Sequence, residues 1–421
     1  MRVLFLTSWY PSAAAPYSVP FVREHARALR AAGVDVAVLH VPPERVGGLR
    51  LWRFDRETSP EATAGLATYR MTSRSIRVPG LRRLGYWLDY GIYVLGAVVA
   101  VARLRRRGFR PDLIHASIFE AGAVGIVLGR VFGIPVVVTE HSTIFPRKAL
   151  GPGMVKRARF AFGRAARVMP VSQALRESIE AYGIPARFEV VPNAVDAGLF
   201  HPEPNGSPEP AEIPALTATA GPQRLLFVGR LESTEHKGFS TLVEAMTLLR
   251  ACRPDIHLDV VGSGESEAEQ RARVEAAGLA DLVTFHGSRA KPTIADMMRA
   301  ASVFVLPSRI ETQGVVLLEA MMCGLPVVST RVGGIPEVVS AEDGVLVEPR
   351  DPQALAAALE AVLSGEVAFD RAGIAARATS RFSLETVGSR FTEIYADVMR
   401  ERSAPGAASG RTQGPRAPER R

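Results

Sequence analysis

Short apolar runs alternate with amphipathic stretches along this chain, in two series separated by a proline-rich break. That rhythm limits the possible folds more than any other feature. The first series reads VLFLTS (3–8), VAVLHV (36–41), LIHAS (113–117), VVVTEH (136–141) and RVMPVS (167–172). The second reads RLLFVGR (224–230), HLDVVGSG (257–264), LVTFHG (282–287), SVFVLPS (302–308), LPVVST (325–330) and GVLVEP (344–349). Between the runs lie stretches such as FVREHARALRAAG (21–33), whose final glycine suits a helix C-cap. Strands that are apolar throughout and alternate with helices predict parallel sheets covered on both faces. The spacing therefore predicts an α/β protein of two doubly wound domains. We place the first over residues 1–200 and the second over 224–383, with a helix over 384–401 packed back on the first. Segment 201–223, rich in Pro, Ala, Gly and Glu, reads as a linker. The tail over 403–421 reads as disordered.

The chain has 421 residues, enough for two full cores. Its two cysteines, Cys252 and Cys323, suggest neither a disulfide framework nor a zinc site. A reducing cytoplasm is the expected location. The start, MRVLFLTSWYPS, reads as a first strand rather than a secretory leader. The uncharged stretch YGIYVLGAVVAVA (90–102) is shorter than the roughly 20 residues a membrane-spanning helix needs, and predicts a buried helix. Charge is uneven. Residues 1–200 hold 28 Lys/Arg against 14 Asp/Glu, and residues 201–400 hold 18 against 27. A basic half suits an anionic membrane, an anionic substrate or nucleic acid, and a plain preference for arginine would look the same.

Ligands of open α/β sheets bind at the carboxyl ends of strands. Arg230 ends the first strand of the second series, and Lys237 precedes a helix, with Gly229 and Gly238 permitting close approach of the backbone. Two cations so placed suit a diphosphate. A solvated lysine and a structural arginine would give the same spacing. VGSGE, with Gly262, makes a glycine turn after another strand but is not a complete dinucleotide fingerprint. PSRIETQGVVLLEAMMCGLPVVST (307–330) places Glu311 just before a helix predicted over 315–322 and Glu319 on its second turn. The helix start at Gly314 offers amides to an anion, and the two carboxylates can accept from sugar hydroxyls. A buried ion pair is the other reading of Glu319.

The set of motifs resembles the retaining nucleotide-sugar glycosyltransferases of family four, the group 1 glycosyltransferases. It runs through GRL…HKGF, VVGSGE, TFHG, VLPS, Glu311-x7-Glu319, EAMMCGLPVV and VGGIPEVV (332–339), and through DLIHAS, VVVTEH and VVPNAVD in the first half. The resemblance implies the GT-B fold, with two Rossmann-like domains facing each other across a deep cleft. It implies that Arg230 and Lys237 bind the donor diphosphate and that Glu311 touches the transferred sugar. Gln313, Gly314, Val315 and Val316 would hold sugar and phosphate, and Glu319 the ribose. Phe285, His286 and Gly287 would lie by the nucleobase, with Gly229 and Gly262 lining the donor site. His141 would stand near the reacting sugar. No metal and no cofactor are expected. The chain departs from the family at four places. Val19 stands where glycine is frequent, Ser117 replaces a second histidine after His115, the gap between Arg230 and Lys237 is long, and Gln313 occupies an aromatic position.

The resemblance assigns a UDP- or GDP-sugar as donor and a hydroxyl acceptor. RVPGLRRLGYWLDYG (77–91) and RLRRRGFR (103–110) set aromatics beside arginines, which suits a lipid-linked acceptor at the anionic inner face of a membrane. Polysaccharide, glycolipid or lipid-linked glycan synthesis is the expected setting. A transferase with a small soluble acceptor, an epimerase of the same architecture and a non-catalytic nucleotide-sugar binder are the alternatives. Nucleic acid is not expected as a partner, since it leaves the second-half motifs without a use.

Overall fold

The computed structural model describes residues 1–11, 20–41, 52–59, 63–73, 82–202 and 223–404. Within them the chain builds two sheets. The first half contributes β1 (Arg2–Thr7), α1 (Pro20–Ala31), β2 (Asp35–His40), β3 (Trp52–Arg56), β4 (Ala67–Ser73), α2 (Arg82–Arg106), β5 (Leu113–Ser117), α3 (Ile118–Phe132), β6 (Val136–Glu140), α4 (Pro152–Phe162), β7 (Arg167–Pro170) and α5 (Gln173–Glu180). The second contributes β8 (Gln223–Val228), α6 (Phe239–Leu249), β9 (Ile256–Val261), α7 (Glu267–Ala276), β10 (Val283–Gly287), α8 (Lys291–Ala300), β11 (Val303–Leu306), α9 (Val315–Met322), β12 (Val327–Thr330), α10 (Ile335–Val338), β13 (Gly344–Val347), α11 (Pro352–Leu363), α12 (Arg371–Phe382) and α13 (Leu384–Ser403).

The first sheet has the order β3-β4-β2-β1-β5-β6-β7, and the second β10-β9-β8-β11-β12-β13. All pairings are parallel except β3 with β4. Counted from its own first strand, the second sheet runs 3-2-1-4-5-6, the Rossmann order. Every residue of β5, β6 and β11 is buried, as helices on both faces require. The two doubly wound sheets expected from the sequence are present.

Two strands had no counterpart in the sequence reading. WRFDR and ATYRMTS form β3 and β4 at one margin of the first sheet. Every residue of β3 is at least partly exposed, so its sequence mixes charge with apolar residues and lacks the continuous run of the central strands. The helix predicted over 90–102 is longer, from Arg82 to Arg106, and only one face of it is buried. Ala97, Ala100, Val101 and Leu104 pack inward, while Leu88 and Leu95 are exposed. No helix among the described residues is long and apolar enough to cross a membrane. The 203–222 part of the expected linker, Val19 and its loop, and the 405–421 part of the expected tail lie outside the described residues.

Helix α13 follows the second sheet but packs on the first half. Val387, Phe391, Ile394, Tyr395 and Val398 join Val22, Ala26 and Leu29 of α1 in one cluster with β1 and β2. Arg167 holds the far end of α13 through Glu401 and also pairs with Glu189 at 3.0 Å. The helices can approach this closely because residue 388 is glycine. A Cβ there would lie 2.1 Å from the Ala28 carbonyl oxygen. We expect Gly388→Ala to push α13 off α1 and to lower stability by about 2 kcal/mol, the scale of overpacking in a close contact. Urea unfolding monitored by fluorescence checks this. An unchanged midpoint would show that the two helices are not in the contact described.

Candidate functional site

The strand order of the second sheet reverses between β8 and β11, and the candidate residues gather at their carboxyl ends. Arg230 lies just past β8. Its side chain is 73% exposed and pairs with Glu232 at 2.9 Å and Glu265 at 3.9 Å. Lys237 precedes α6 and forms an ion pair with Glu311, which lies past β11. Glu311 is buried and also accepts from the Thr312 amide at 3.1 Å. Gly314, at φ +83°, is the N-cap of α9, and Val315 and Val316 begin the helix half-buried. Glu319 sits inside that helix, paired with Lys291 at the first position of α8. The Lys291 ammonium also lies 5.4 Å over the Phe200 ring. The second Glu319 oxygen, Oε2, is buried with no partner among the described residues. Burial raises the Glu319 pKa. Lys291 opposes that rise and Glu24 of α1 adds to it, so the first half is within electrostatic reach.

The glycines and the nucleobase-loop candidates form the adjoining rim. The Gly229 amide donates to Val261 at 2.9 Å, and the Gly262 amide donates to the Gly287 carbonyl at 2.9 Å. These bonds hold the ends of β8, β9 and β10 together. Phe285 packs 5.8 Å from Phe239, with the Arg271 guanidinium 4.4 Å from its own ring. His286 turns to Asp259 at 2.7 Å, and Arg224 makes two bonds to the same carboxylate at 2.6 and 2.8 Å. Burial raises the Asp259 pKa, but His286 and Arg224 outweigh it and hold the carboxyl below its usual range. With both side chains occupied, the 285–287 loop offers its backbone.

In the first half, His141 follows β6 and is buried against Phe21 and His25, each 5.0 Å away. Glu140 just before it accepts from the amides of Phe119 (3.0 Å), His141 (3.0 Å) and Ser142 (2.8 Å). This carboxylate fixes the two turns that leave β5 and β6. Burial pushes its pKa up to about 8, Glu120 adds to the rise and the three amides oppose it. His141 Nδ1 lies 3.1 Å from Asn193 Oδ1, and Gln313 Oε1 accepts from both the Asn193 main-chain amide (2.8 Å) and its Nδ2 (2.7 Å). Nearby, Ser172 Oγ donates to the Thr312 carbonyl at 2.7 Å. Glu337 of α10 accepts from the Gln173 and Ala174 amides at 2.7 and 2.8 Å, closing the amino end of α5. His115 bonds to Tyr395 and Thr139 inside the first half.

The structure thus brings Lys237 and Glu311 together, links Gln313 to His141, and seats Glu319 behind them on Lys291. Glu140, Asn193 and Lys291 were missed by sequence reasoning. Glu140 had a signal, an acid at the end of an otherwise uncharged strand. Lys291 had none, because its partner lies 28 residues away on another helix.

Residues 222–365 match the sequence family described as Glycosyl transferases group 1, and residues 19–199 match Glycosyltransferase Family 4. The chain belongs to these glycosyltransferases. It is 33% identical over 282 residues to a D-inositol 3-phosphate glycosyltransferase of Arthrobacter sp. (strain FB24), a match covering 63% of this chain and 66% of that protein. It is 28% identical over 421 residues to a glycogen synthase of Mycobacterium tuberculosis, covering 96% and 97% of the two chains. The crystal structure of Anabaena HepE in complex with UDP-glucose superposes with a TM-score of 0.70 at 22% identity, over 94% of this chain and all of that one. That likeness shows the GT-B fold.

Burial lowers the His141 pKa from 6.5 to about 4, against the upward pull of Asn193. The unfolded chain therefore binds this proton more readily than the folded one. The contribution of neutral His141 to stability is complete above pH 6.5 and is lost as pH falls through 4. Relative to His141→Gln, the wild type should lose about 1.4 kcal/mol per pH unit across that window. Urea unfolding of both proteins at pH 7, 6 and 5 reads the difference, and a constant gap would show that His141 titrates normally.

Proposed function

We propose that the protein transfers a hexose from a UDP- or GDP-sugar to a hydroxyl acceptor with retention of anomeric configuration. The observation that carries this reading is the convergence of Arg230, Lys237 and the amino end of α9 at the carboxyl ends of β8 and β11. The diphosphate sits between the two cations and the amides of Gly314 to Val316. These donors neutralise the charge that grows on the leaving group as the glycosidic bond breaks, so in this reading the step needs no metal. Glu311 accepts from hydroxyls of the sugar, and Oε2 of Glu319 takes a ribose hydroxyl as its missing partner. The backbone of Phe285, His286 and Gly287 borders the base. His141 faces the sugar from the other half. The acceptor oxygen attacks from the face the diphosphate leaves, and its proton passes to a phosphate oxygen. An epimerase or a binding protein of this fold would bind donor yet transfer nothing to an acceptor.

We expect the matching nucleoside diphosphate to stabilise the fold by about 2.7 kcal/mol at a hundredfold excess over its Kd. Arg230 is exposed, so Arg230→Ala should leave the free protein's melting temperature unchanged while weakening diphosphate binding about tenfold, the scale of one charge-assisted contact. A thermal-shift panel with UDP, GDP and ADP measures both. No shift with any of the three in folded protein would sink the donor-site reading.

One observation favours a lipid-linked acceptor at an anionic membrane. Leu88 and Leu95 are both exposed on α2 and stand seven residues apart, two turns along one face, in the basic half of the chain. Sedimentation with anionic vesicles should pull the protein down at low salt, and Leu95→Glu should weaken it. No sedimentation with anionic vesicles at low or high salt would leave the soluble-acceptor reading.

A further inference from the structure

Gln313 stands in the loop between β11 and α9, and its partner is Asn193 in the other half of the chain. A main-chain N–H can only donate. The Asn193 amide lies 2.8 Å from one terminal atom of Gln313, so that atom is the carboxamide oxygen. The same oxygen lies 2.7 Å from the end of the Asn193 side chain, which must therefore present its NH2 group. The remaining Asn193 atom, Oδ1, is then the one facing His141 Nδ1 at 3.1 Å. An amide oxygen only accepts, so Nδ1 carries the proton. A neutral imidazole has one N–H, which leaves Nε2 with a lone pair. Nε2 is buried and has no partner among the described residues. An unsatisfied buried acceptor is unfavourable until a donor reaches it.

We propose that Gln313 is a positioning residue for transfer: through Asn193 it holds His141 as the Nδ1–H tautomer, so that Nε2 accepts a hydrogen bond from a hydroxyl of the transferred sugar. The inference rests on the transferase reading given above and deepens it. It assigns a substrate class, because a lone pair at Nε2 favours a sugar that presents a hydroxyl there over a uronic acid that presents a carboxylate. It also ties the first half to the second, since the relay is complete only while Asn193 and Gln313 meet.

The test uses the full-length protein labelled with 15N-histidine, at pH 8. The chain has eight histidines, and His141→Gln identifies the signal. Long-range 1H–15N spectra of the wild type should show His141 protonated on Nδ1. Gln313→Met keeps the length of the side chain but removes the oxygen. It should mix the tautomers and lower kcat about tenfold, with the donor KM changed less than about twofold. Gln313→Glu keeps an acceptor oxygen and should restore both the tautomer and most of kcat. Wild-type His141 protonated on Nε2 would overturn the proposal, whether or not the variants fold. So would a tautomer unchanged in Gln313→Met, or a changed tautomer with unchanged kcat. Failure of the transferase reading has a different signature: the wild type would turn over no nucleotide sugar while its His141 signal stayed on Nδ1.

Discussion

The central strands of both sheets are covered on both faces, and this favours the strand ends as the place for the chemistry of the chain. Strands buried along their whole length have no place for a charge in the middle of a face. The main-chain groups are paired along the ladder, so a polar side chain inside a strand needs side-chain partners, as His115 and Asp259 have, while at the strand ends free turn amides can serve one. Glu140, His141, Arg230 and Glu311 all stand at or just past the carboxyl end of a strand. The reversal of strand order beside β8 opens a crevice there, and the turns that leave β8 and β11 line it.

A carboxylate buried at such a rim needs compensation, and the kind of compensation separates structural acids from those open to a ligand. Glu140 is held by three main-chain amides. Those donors belong to the turns themselves, so a ligand cannot take their place without breaking the turns. Glu311 and Glu319 are held instead by Lys237 and Lys291. A lysine on a flexible stem can exchange one anion for another, and a diphosphate is a stronger competitor than a single carboxylate. Glu319 keeps one oxygen without a partner even with Lys291 in place. On the donor reading proposed above, Lys237 exchanges Glu311 for the diphosphate while Lys291 stays with Glu319.

The sequence was legible where local rules decide the outcome. All the central strands could be read from their apolar runs, and the helix over Val315–Met322 from the glycines and the apolar stretch that bound it. Legibility failed for two physical reasons. At the sheet margin, β3 and β4 are partly exposed and lose the pattern that marks a buried strand. At the site, the partners of the predicted residues lie far away in sequence: Lys237 is 74 residues from Glu311, and Asn193 is 120 from Gln313. Spacing along the chain says where Glu319 can stand on its helix. It says nothing of which lysine will meet it.

Some of the contacts between the two halves fall on or beside the loop that carries Glu311 and Gln313. Asn193 meets Gln313, Ser172 meets Thr312, and the amino end of α5 meets Glu337. Residue 334, between these points, must be glycine: a Cβ there would lie 2.2 Å from the Thr312 carbonyl oxygen and 2.7 Å from the Ser172 Cβ. The 311–313 loop is therefore gripped from the first half by side chains and by the packed backbone around Gly334. Glu311 begins that loop and shares its main chain with Thr312. A displacement of one half against the other would have to break these bonds or drag the loop, and dragging it would move Glu311 relative to Lys237. Because the loop that contacts the first half also carries Glu311, the carboxylate geometry of the second sheet depends on where the first sheet stands.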